Sequence, residues 1–327
     1  MQFAWSYAPP LIIDAALKNG LFDALAKGPL SADELASATN TSARGVRAAM
    51  DALVGFGLAA RDAQGRYVLS PESAAFLVSS QPGYLGGFFN HMTRDLIPAW
   101  LSVGECVRTG RPARHVNTDV EGAKFFHDFV ESLFPLSYPV AQGLAHALAF
   151  PQSEPVKVLD IAAGSGVWGI GLAEACPLAH VTAVDWDEVL PVTREIVARH
   201  KLSEQFSFVA GDILEADYGT DYDVATLGHI LHSEGDARSI ALLRKVANAL
   251  KPGGVIAIAE FLVDDDRNGP PQGLIFAVNM LVNTDTGRTF SFAEIKEWLA
   301  DAGFTNARLL PGPGVSPLIL ANRMSRK

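Results

Sequence analysis

Apolar and polar positions in the second half of the chain follow two different periods. Short apolar runs, rich in β-branched residues, are typical of buried strands, and they occupy residues 156–161, 180–185, 206–212, 222–230 and 255–261. Segment 237–250 instead places its apolar residues on one face of a helix. Buried strands that alternate with helices predict an α/β fold with a mostly parallel sheet.

The C-terminal region predicts one further helix and a strand hairpin. Ser291 and Glu294 form a capping box at the start of helix 292–302. Segments 306–310 and 316–322 then flank a Pro-Gly-Pro-Gly turn, as the strands of a hairpin do. The sheet is therefore expected to end in an antiparallel pair.

The first eighty residues have a separate pattern. They predict an apolar helix over 11–25, a short helix that a capping box opens at Ser31, a third helix after 40–42, and a hairpin of strands 58–61 and 66–69. This order predicts a winged helix and raises the alternative of a DNA-binding regulator. Six basic and seven acidic side chains in residues 1–80 leave a net charge of −1, which disfavours binding to phosphates.

A small-residue loop, Gly164-Ser165-Gly166, directly follows the strand 156–161. Small residues there let backbone N–H groups approach a ligand at the start of a helix. Residues 164–169 fit the G-x-G-x-x-G pattern, so a dinucleotide is one interpretation. Asp160 before the loop favours another, S-adenosylmethionine, because a carboxylate suits its cationic amine better than a pyrophosphate. Asp185 and Asp212, at the ends of the next two strands, are placed to hold the ribose hydroxyls and the adenine amino group.

With these motifs in this order, the chain from about residue 8 onward resembles the small-molecule O-methyltransferases that include plant caffeate and acetylserotonin methyltransferases. The resemblance implies three regions: a winged-helix dimerisation domain at 1–80, a helical linker at 81–150 that contributes to the acceptor pocket, and a Rossmann-like class I methyltransferase domain at 151–327. It also implies a seven-stranded sheet, a homodimer, S-adenosylmethionine as cofactor with S-adenosylhomocysteine as product, and a small aromatic or hydrophobic acceptor.

The resemblance also assigns roles to individual residues. His232 matches the family's general base, and Glu260, 28 residues later, matches the carboxylate that orients it. The cofactor would contact Asp160, Gly164, Gly166, Asp185, Trp186, Asp212 and Ile213. The acceptor would contact Phe88, His91, Met92 and Phe134 on one side and Phe276, Asn279 and Met280 on the other. His229 is interpreted as a structural histidine, with a ligand contact as the alternative.

Three positions depart from the family pattern. The usual His-Asp-Trp at the base is His232-Ser233-Glu234, and a lysine of the plant members is replaced by Gly228. The turn before the last capped helix lacks the second acid, for which Asp285 or Glu294 could substitute. The accepting atom is therefore left open among oxygen, nitrogen and carbon, and so is a non-methylating reaction on the same fold.

Composition indicates which partners, cellular compartment and metal content to expect for this protein. A net charge of −10 over 327 residues disfavours nucleic acid as a partner. Two cysteines indicate a reducing compartment, and we expect a cytoplasmic protein because neither a secretory signal nor a membrane-spanning run is found. His, Cys and carboxylate residues lack metal-ligand spacing, so we expect no metal. The phosphate-binding motif of nucleoside triphosphate hydrolases is missing, so hydrolysis of a nucleoside triphosphate is not indicated.

Overall fold

The computed structural model describes residues 2–116, 119–150, 153–310 and 316–325. It divides into two compact units, Met1–Pro98 and Ala99–Lys327. The boundary falls inside the region 81–150 that the sequence suggested as a linker, so the aromatic segments of that region belong to different units.

The first unit is mostly helical. Its helices are α1 (Ala8–Lys18), α2 (Leu21–Leu25), α3 (Ala32–Thr39), α4 (Ala43–Gly55), α5 (Pro71–Phe76) and α6 (Gly86–His91), with a π-helical turn at Met92–Leu96 and a 3₁₀ turn at Gln2–Trp5. Strands β1 (Ala59–Arg61) and β2 (Tyr67–Leu69) form the expected antiparallel hairpin. The capping box is present, since Glu34 N–H donates to Ser31 Oγ and Ser31 N–H donates to Glu34.

The expected single helix 11–25 is two helices. Gly20 has φ 67°, a left-handed conformation that ends α1 and lets α2 start in a new direction. The break turns Phe22 and Leu25 into a core that also contains Met50 and Tyr67. The apolar pattern therefore identified the buried residues, but it did not show the change of direction.

The second unit contains the remaining elements. Its helices are α7 (Ile97–Trp100, which spans the boundary), α8 (Val103–Thr109), α9 (Asp119–Leu148), α10 (Val167–Ala175), α11 (Leu190–Arg199), α12 (Leu231–Ala249), α13 (Pro271–Asn283) and α14 (Phe292–Asp301). Its strands are β3 (Val156–Ile161), β4 (Ala179–Asp185), β5 (Phe206–Ala210), β6 (Tyr222–Gly228), β7 (Leu250–Ala259), β8 (Leu262–Val263), β9 (Phe290–Ser291), β10 (Phe304–Leu310) and β11 (Leu318–Arg323). Residues 203–205 form a 3₁₀ turn.

Seven of these strands form one sheet in the order β10-β11-β7-β6-β3-β4-β5. Strands β3 to β7 are parallel, and β11 pairs antiparallel with both β7 and β10. This arrangement confirms the expected Rossmann-like sheet with its antiparallel end. The predicted turn at 311–314 lies outside the described residues.

Helices cover both faces of the sheet. Along β3, Val158 contributes to the core under α9 and α10, whereas Leu159 and Ile161 contribute to the core under α12 and α14. All three side chains are fully buried, as is usual for a central parallel strand. In the part of the chain that the structure describes, no helix has the length and apolar composition to cross a membrane.

Two boundaries differ from the sequence prediction near the end of the sheet. Strand β6 stops at Gly228, and His229 takes φ 60°, so the chain leaves the strand and starts α12 already at Leu231. Gly235, with φ 71°, then kinks this helix. As a result His232 lies in the first turn of a helix and not at the end of a strand, a change that period alone does not show.

Candidate functional site

A cleft of about 920 Å³, part of it open to solvent, lies at the carboxyl ends of the parallel strands. Its floor is the loop 162–165, and its walls come from the strand ends at 185–186, 211–213 and 228–230 and from α9, α10 and α12. This position is where sheets of this topology bind ligands.

The glycine loop at the floor of the cleft depends on backbone conformations that favour glycine. Gly164 has φ 54° and Gly166 has φ 74°. A Cβ on Gly164 would come within 3.3 Å of Val130, a cleft residue of α9. Gly166 precedes α10 and does not line the cleft itself, but its carbonyl accepts a hydrogen bond from Ile170 as the helix begins. The loop therefore brings the positive end of α10 close to the cleft.

Asp185 connects the floor of the cleft to the end of β4. One of its carboxylate oxygens accepts a hydrogen bond from Gly164 N–H at 2.7 Å, and the other accepts from Trp186 N–H at 2.8 Å. Burial raises the pKa of Asp185 to about 6, although these two bonds oppose the increase. The carboxylate is 9% exposed, lines the cleft, and can accept hydrogen bonds from ligand hydroxyls.

Asp212, after β5, forms the far end of the cleft. Its Oδ1 accepts from Leu214 N–H at 2.7 Å, and its Oδ2 accepts from Arg238 Nη2 at 2.6 Å. Arg238 also donates from Nε to the Glu234 carboxylate. Burial raises the pKa of Glu234, and the bond with Arg238 limits that increase. Three carboxylates and one guanidinium thus line the cleft, which favours a cationic ligand.

Asp160 does not line the cleft, in contrast to its expected contact with a ligand amine. Its side chain is fully buried, where one oxygen accepts from Gly169 N–H at 3.0 Å and the other from Thr226 Oγ1 at 2.7 Å. Burial, and to a smaller extent the charge of the nearby Asp185, raises the pKa of Asp160 to about 7. Asp160 therefore links α10 to β6, because a fully buried carboxylate must satisfy its oxygens inside the protein.

His232 and Glu260 form a buried pair beside the cleft. Nδ1 of His232 lies 2.7 Å from Oε2 of Glu260, and the backbone N–H of His232 donates to Oε1 at 3.2 Å. Although burial would raise it, the neighbouring His232 and its hydrogen bonds lower the pKa of Glu260. The carboxylate thus holds the proton on Nδ1, and the lone pair is left on Nε2.

Aromatic rings surround this pair. Phe276 of α13 packs edge-on against His232 with ring centroids 4.8 Å apart, and Phe261 lies 4.2 Å from Phe276. The imidazole of His229 lies 5.2 Å from Phe261 and 6.4 Å from His232. His229 also lines the cleft, so it connects the aromatic cluster to the cleft.

His229 was interpreted from sequence as structural, with a ligand contact as the alternative. Its Nε2 atom is buried without a hydrogen-bond partner, although the ring faces the cleft. Burial lowers the pKa of His229 to about 4, so the ring is neutral near pH 7. His229 is therefore a neutral imidazole in the wall of the cleft, and the structure leaves both interpretations from sequence open.

The structure accounts for one departure from the family pattern and tests the suggested substitutes for another. A Cβ on Gly228 would overlap the indole nitrogen of Trp168, so no larger side chain fits at this position. Neither suggested substitute for the second acid is hydrogen-bonded to His232: Asp285 pairs with His115, and Glu294 pairs with Arg288 and Arg267. Among the described residues, the hydrogen-bonding carboxylate partner of His232 is Glu260.

The seven candidate acceptor residues are distributed between the two units. Phe276 contacts His232, but Asn279 accepts a hydrogen bond from Trp100 Nε1 at 2.9 Å. Met280 is buried on the same helix. Phe134 stacks on Tyr138, with centroids 5.0 Å apart, and does not line the cleft. Phe88, His91 and Met92 belong to the first unit, where His91 is buried with its Nδ1 3.1 Å from Asp95.

Several cleft residues were not proposed from sequence. They include Val130, Trp168, Glu234 and Arg238. The last two stand four residues apart on a helix, a spacing that predicts an ion pair but not its position beside Asp212. In the described ranges, no group of three or more His, Cys, Asp or Glu residues is arranged to hold a metal ion.

Comparisons with known proteins agree with this geometry. Residues 140–305 match the family model of the O-methyltransferase domain, and residues 1–79 match the O-methyltransferase dimerisation domain. The tetracenomycin polyketide synthesis 8-O-methyl transferase of Streptomyces glaucescens is 30% identical, covering 99% of this chain and 96% of that protein. The 3-hydroxy-5-methyl-1-naphthoate 3-O-methyltransferase of Streptomyces sahachiroi is 31% identical, covering 94% and 90%.

Solved structures show the same architecture. The structure of human N-acetylserotonin methyltransferase in complex with S-adenosylmethionine superimposes with a TM-score of 0.86 and 25% identity. The match covers 99% of this chain and 96% of the human chain. The likeness therefore extends over both units and over the cleft at the end of the sheet.

Proposed function

The chain belongs to the O-methyltransferase family, and we propose that it methylates a hydroxyl of a small aromatic acceptor with His232 as general base. It is an S-adenosylmethionine-dependent methyltransferase. The single observation that carries the proposed mechanism is the buried pair of His232 and Glu260 beside the cleft, with 2.7 Å between Nδ1 and Oε2.

The cleft has the donors and acceptors that this cofactor requires. Asp185 would accept hydrogen bonds from the ribose hydroxyls, Asp212 would accept from the adenine amino group, and the loop at Gly164 would lie against the methionine part. A dinucleotide fits less well, because the one cation among the described cleft residues, Arg238, is already paired with two carboxylates. When bound, the cofactor supplies a methyl group on a positively charged sulfur.

His232 and Glu260 would together remove the proton of the acceptor hydroxyl. A phenol of pKa about 10 is ionised to about one part in a thousand at pH 7, a cost of about 4 kcal/mol. His232 Nε2 would take the proton of the hydroxyl, and Glu260 would stabilise the resulting imidazolium. Alignment of the acceptor by the surrounding rings supplies a further part of the rate, because methyl transfer is an in-line displacement.

Oxygen is favoured over nitrogen or carbon as the accepting atom because the relatives named above are O-methyltransferases. Two of them are named for a polyketide and a hydroxynaphthoate, so we propose a fused-ring phenol as the acceptor class. Phe261 and Phe276 provide apolar surface beside the base for such rings. The match of residues 1–79 to a dimerisation domain supports a homodimer over a DNA-binding regulator.

The test is single-turnover methylation of a hydroxynaphthoate panel by the purified protein and two histidine variants. His232→Gln should lower the rate about 10²- to 10³-fold while binding of S-adenosylhomocysteine is unchanged. His180→Gln, which changes an exposed histidine bonded to Ser207, is the matched control. An unchanged rate in His232→Gln would leave alignment alone as the mechanism, and binding of NAD in place of S-adenosylhomocysteine would reject the cofactor.

A further inference from the structure

Arg238 occupies a fixed position in the wall of the cleft. Its Nε donates to Glu234, one turn earlier on α12, and its Nη2 donates to Asp212 at 2.6 Å. The side chain is 43% exposed, and it lines the cleft together with both of its partners. Two carboxylates therefore hold one guanidinium on different nitrogens.

This arrangement fixes the plane of the guanidinium as well as its position. All the N–H groups of arginine lie in one plane, so bonds to Glu234 and Asp212 use its edges. Its faces remain suited to stacking, because arginine is weakly hydrated and packs well on planar rings.

The order of the strands indicates where the nucleobase of a bound nucleoside would lie. Strands β4 and β5 are neighbours, about 5 Å apart, and their carboxyl ends lead to Asp185 and Asp212. A nucleoside whose ribose reaches Asp185 therefore extends its base toward Asp212 and Arg238.

We propose that Arg238 is a cofactor-binding residue whose guanidinium face stacks on the adenine ring of S-adenosylmethionine. This inference rests on the proposed function, and it deepens the assignment of Asp212. Glu234, which stands where the family pattern has tryptophan, contributes by orienting the guanidinium. The ring is then held at its edge by Asp212 and on its face by Arg238.

A purely structural role of Arg238 is the competing explanation. The segment after β5 is also anchored to α12 by Lys245, whose Nζ donates to the carbonyl oxygens of Leu214 at 2.8 Å and Ala216 at 2.6 Å. Lys245 does not line the cleft. Lys245→Met is therefore a matched control that loosens the same segment without removing a group from the cleft.

The experiment measures the Kd of S-adenosylhomocysteine and of adenosine by calorimetry for the full-length protein and three variants. Arg238→Lys keeps the positive charge but replaces the planar guanidinium with an ammonium group. It should weaken the binding of both ligands about ten-fold. Arg238→Ala should weaken them at least as much, and Lys245→Met should leave both Kd values near those of the wild type.

Three results would overturn parts of this account, and they are distinguishable. Wild-type affinity in Arg238→Lys would show that charge alone matters and reject stacking. An equal loss in Lys245→Met would show that Arg238 only anchors the segment after β5. If the wild-type protein bound neither ligand, the proposed function itself would fail.

Discussion

The carboxylate of Glu260 holds His232 at two points, by Oε2 on the imidazole Nδ1 at 2.7 Å and by Oε1 on the backbone N–H at 3.2 Å. The same acid therefore fixes the ring and the start of α12 that carries it. Glu260 is 1% exposed, so bulk water does not compete for the hydrogen bonds that orient His232. The pair is arranged to present one tautomer of His232.

Glu260→Gln should lower kcat about 10²-fold with little change in the KM of the acceptor, because an amide neither stabilises the imidazolium nor fixes the tautomer. Activity should partly recover as the pH rises toward the pKa of the acceptor, since solvent then removes the proton. Steady-state pH profiles measure both effects. Glu297→Gln, which changes an exposed glutamate, is the control, and a lower rate without alkaline recovery would count against this role.

Cofactor binding should weaken on acidification because of Asp185. Burial raises its pKa to about 6, so the carboxylate that would accept the ribose hydroxyls is lost as the pH falls through that value. The Kd of S-adenosylhomocysteine should be about ten-fold weaker at pH 5 than at pH 7. Calorimetry at both values tests this, and Asp185→Asn should bind weakly at either pH. A wild-type Kd that does not change would show that Asp185 is not the ribose partner.

The same residue should affect the stability of the ligand-free protein in the opposite direction. A carboxyl group with a raised pKa in the folded state contributes stability below its unfolded pKa and loses it as the pH rises through about 6. Between about pH 4 and pH 7 the free energy of unfolding of the wild type, from urea titrations, should therefore decrease relative to that of Asp185→Asn. Equal slopes in the two proteins would contradict the raised pKa.

Gly228→Ala should destabilise the protein by about 1–3 kcal/mol, because the new Cβ would overlap the indole of Trp168. In the double variant with Trp168→Leu this cost should largely disappear, since the two residues are in contact. Urea unfolding of the four proteins measures the coupling. Gly104→Ala is the control, because a Cβ there meets no atom within 4 Å, and additive effects at 228 and 168 would refute the contact.

His229 should remain neutral over the range in which ordinary histidines titrate. Burial lowers its pKa to about 4, so its ring nitrogens should keep neutral NMR shifts between about pH 5 and pH 8. His229→Asn identifies the signals and should retain the fold, because asparagine tolerates the left-handed backbone at φ 60°. A titration near the ordinary value of histidine would mean that the ring is open to water.

Much of the fold was predictable because its determinants are local. Apolar runs located the strands β3 to β7, and Ser291 with Glu294 located the start of α14, where both capping hydrogen bonds are present. Helix and strand boundaries were less predictable, because the chain changes direction where Gly20 and His229 adopt a positive φ. The spacing of apolar residues along the chain carries no information on such turns.

For the site, the sequence by itself placed Asp185 and Asp212 at one edge of the sheet, because the carboxyl ends of parallel strands meet there. The pair of His232 and Glu260 was assigned from the resemblance to the O-methyltransferase family. Only the tertiary structure decided that Asp160 is buried between α10 and β6 and that Arg238 lies beside Asp212. The physical reason is that the direction of a side chain, its burial and its partners follow from packing between segments distant along the chain, which spacing does not encode.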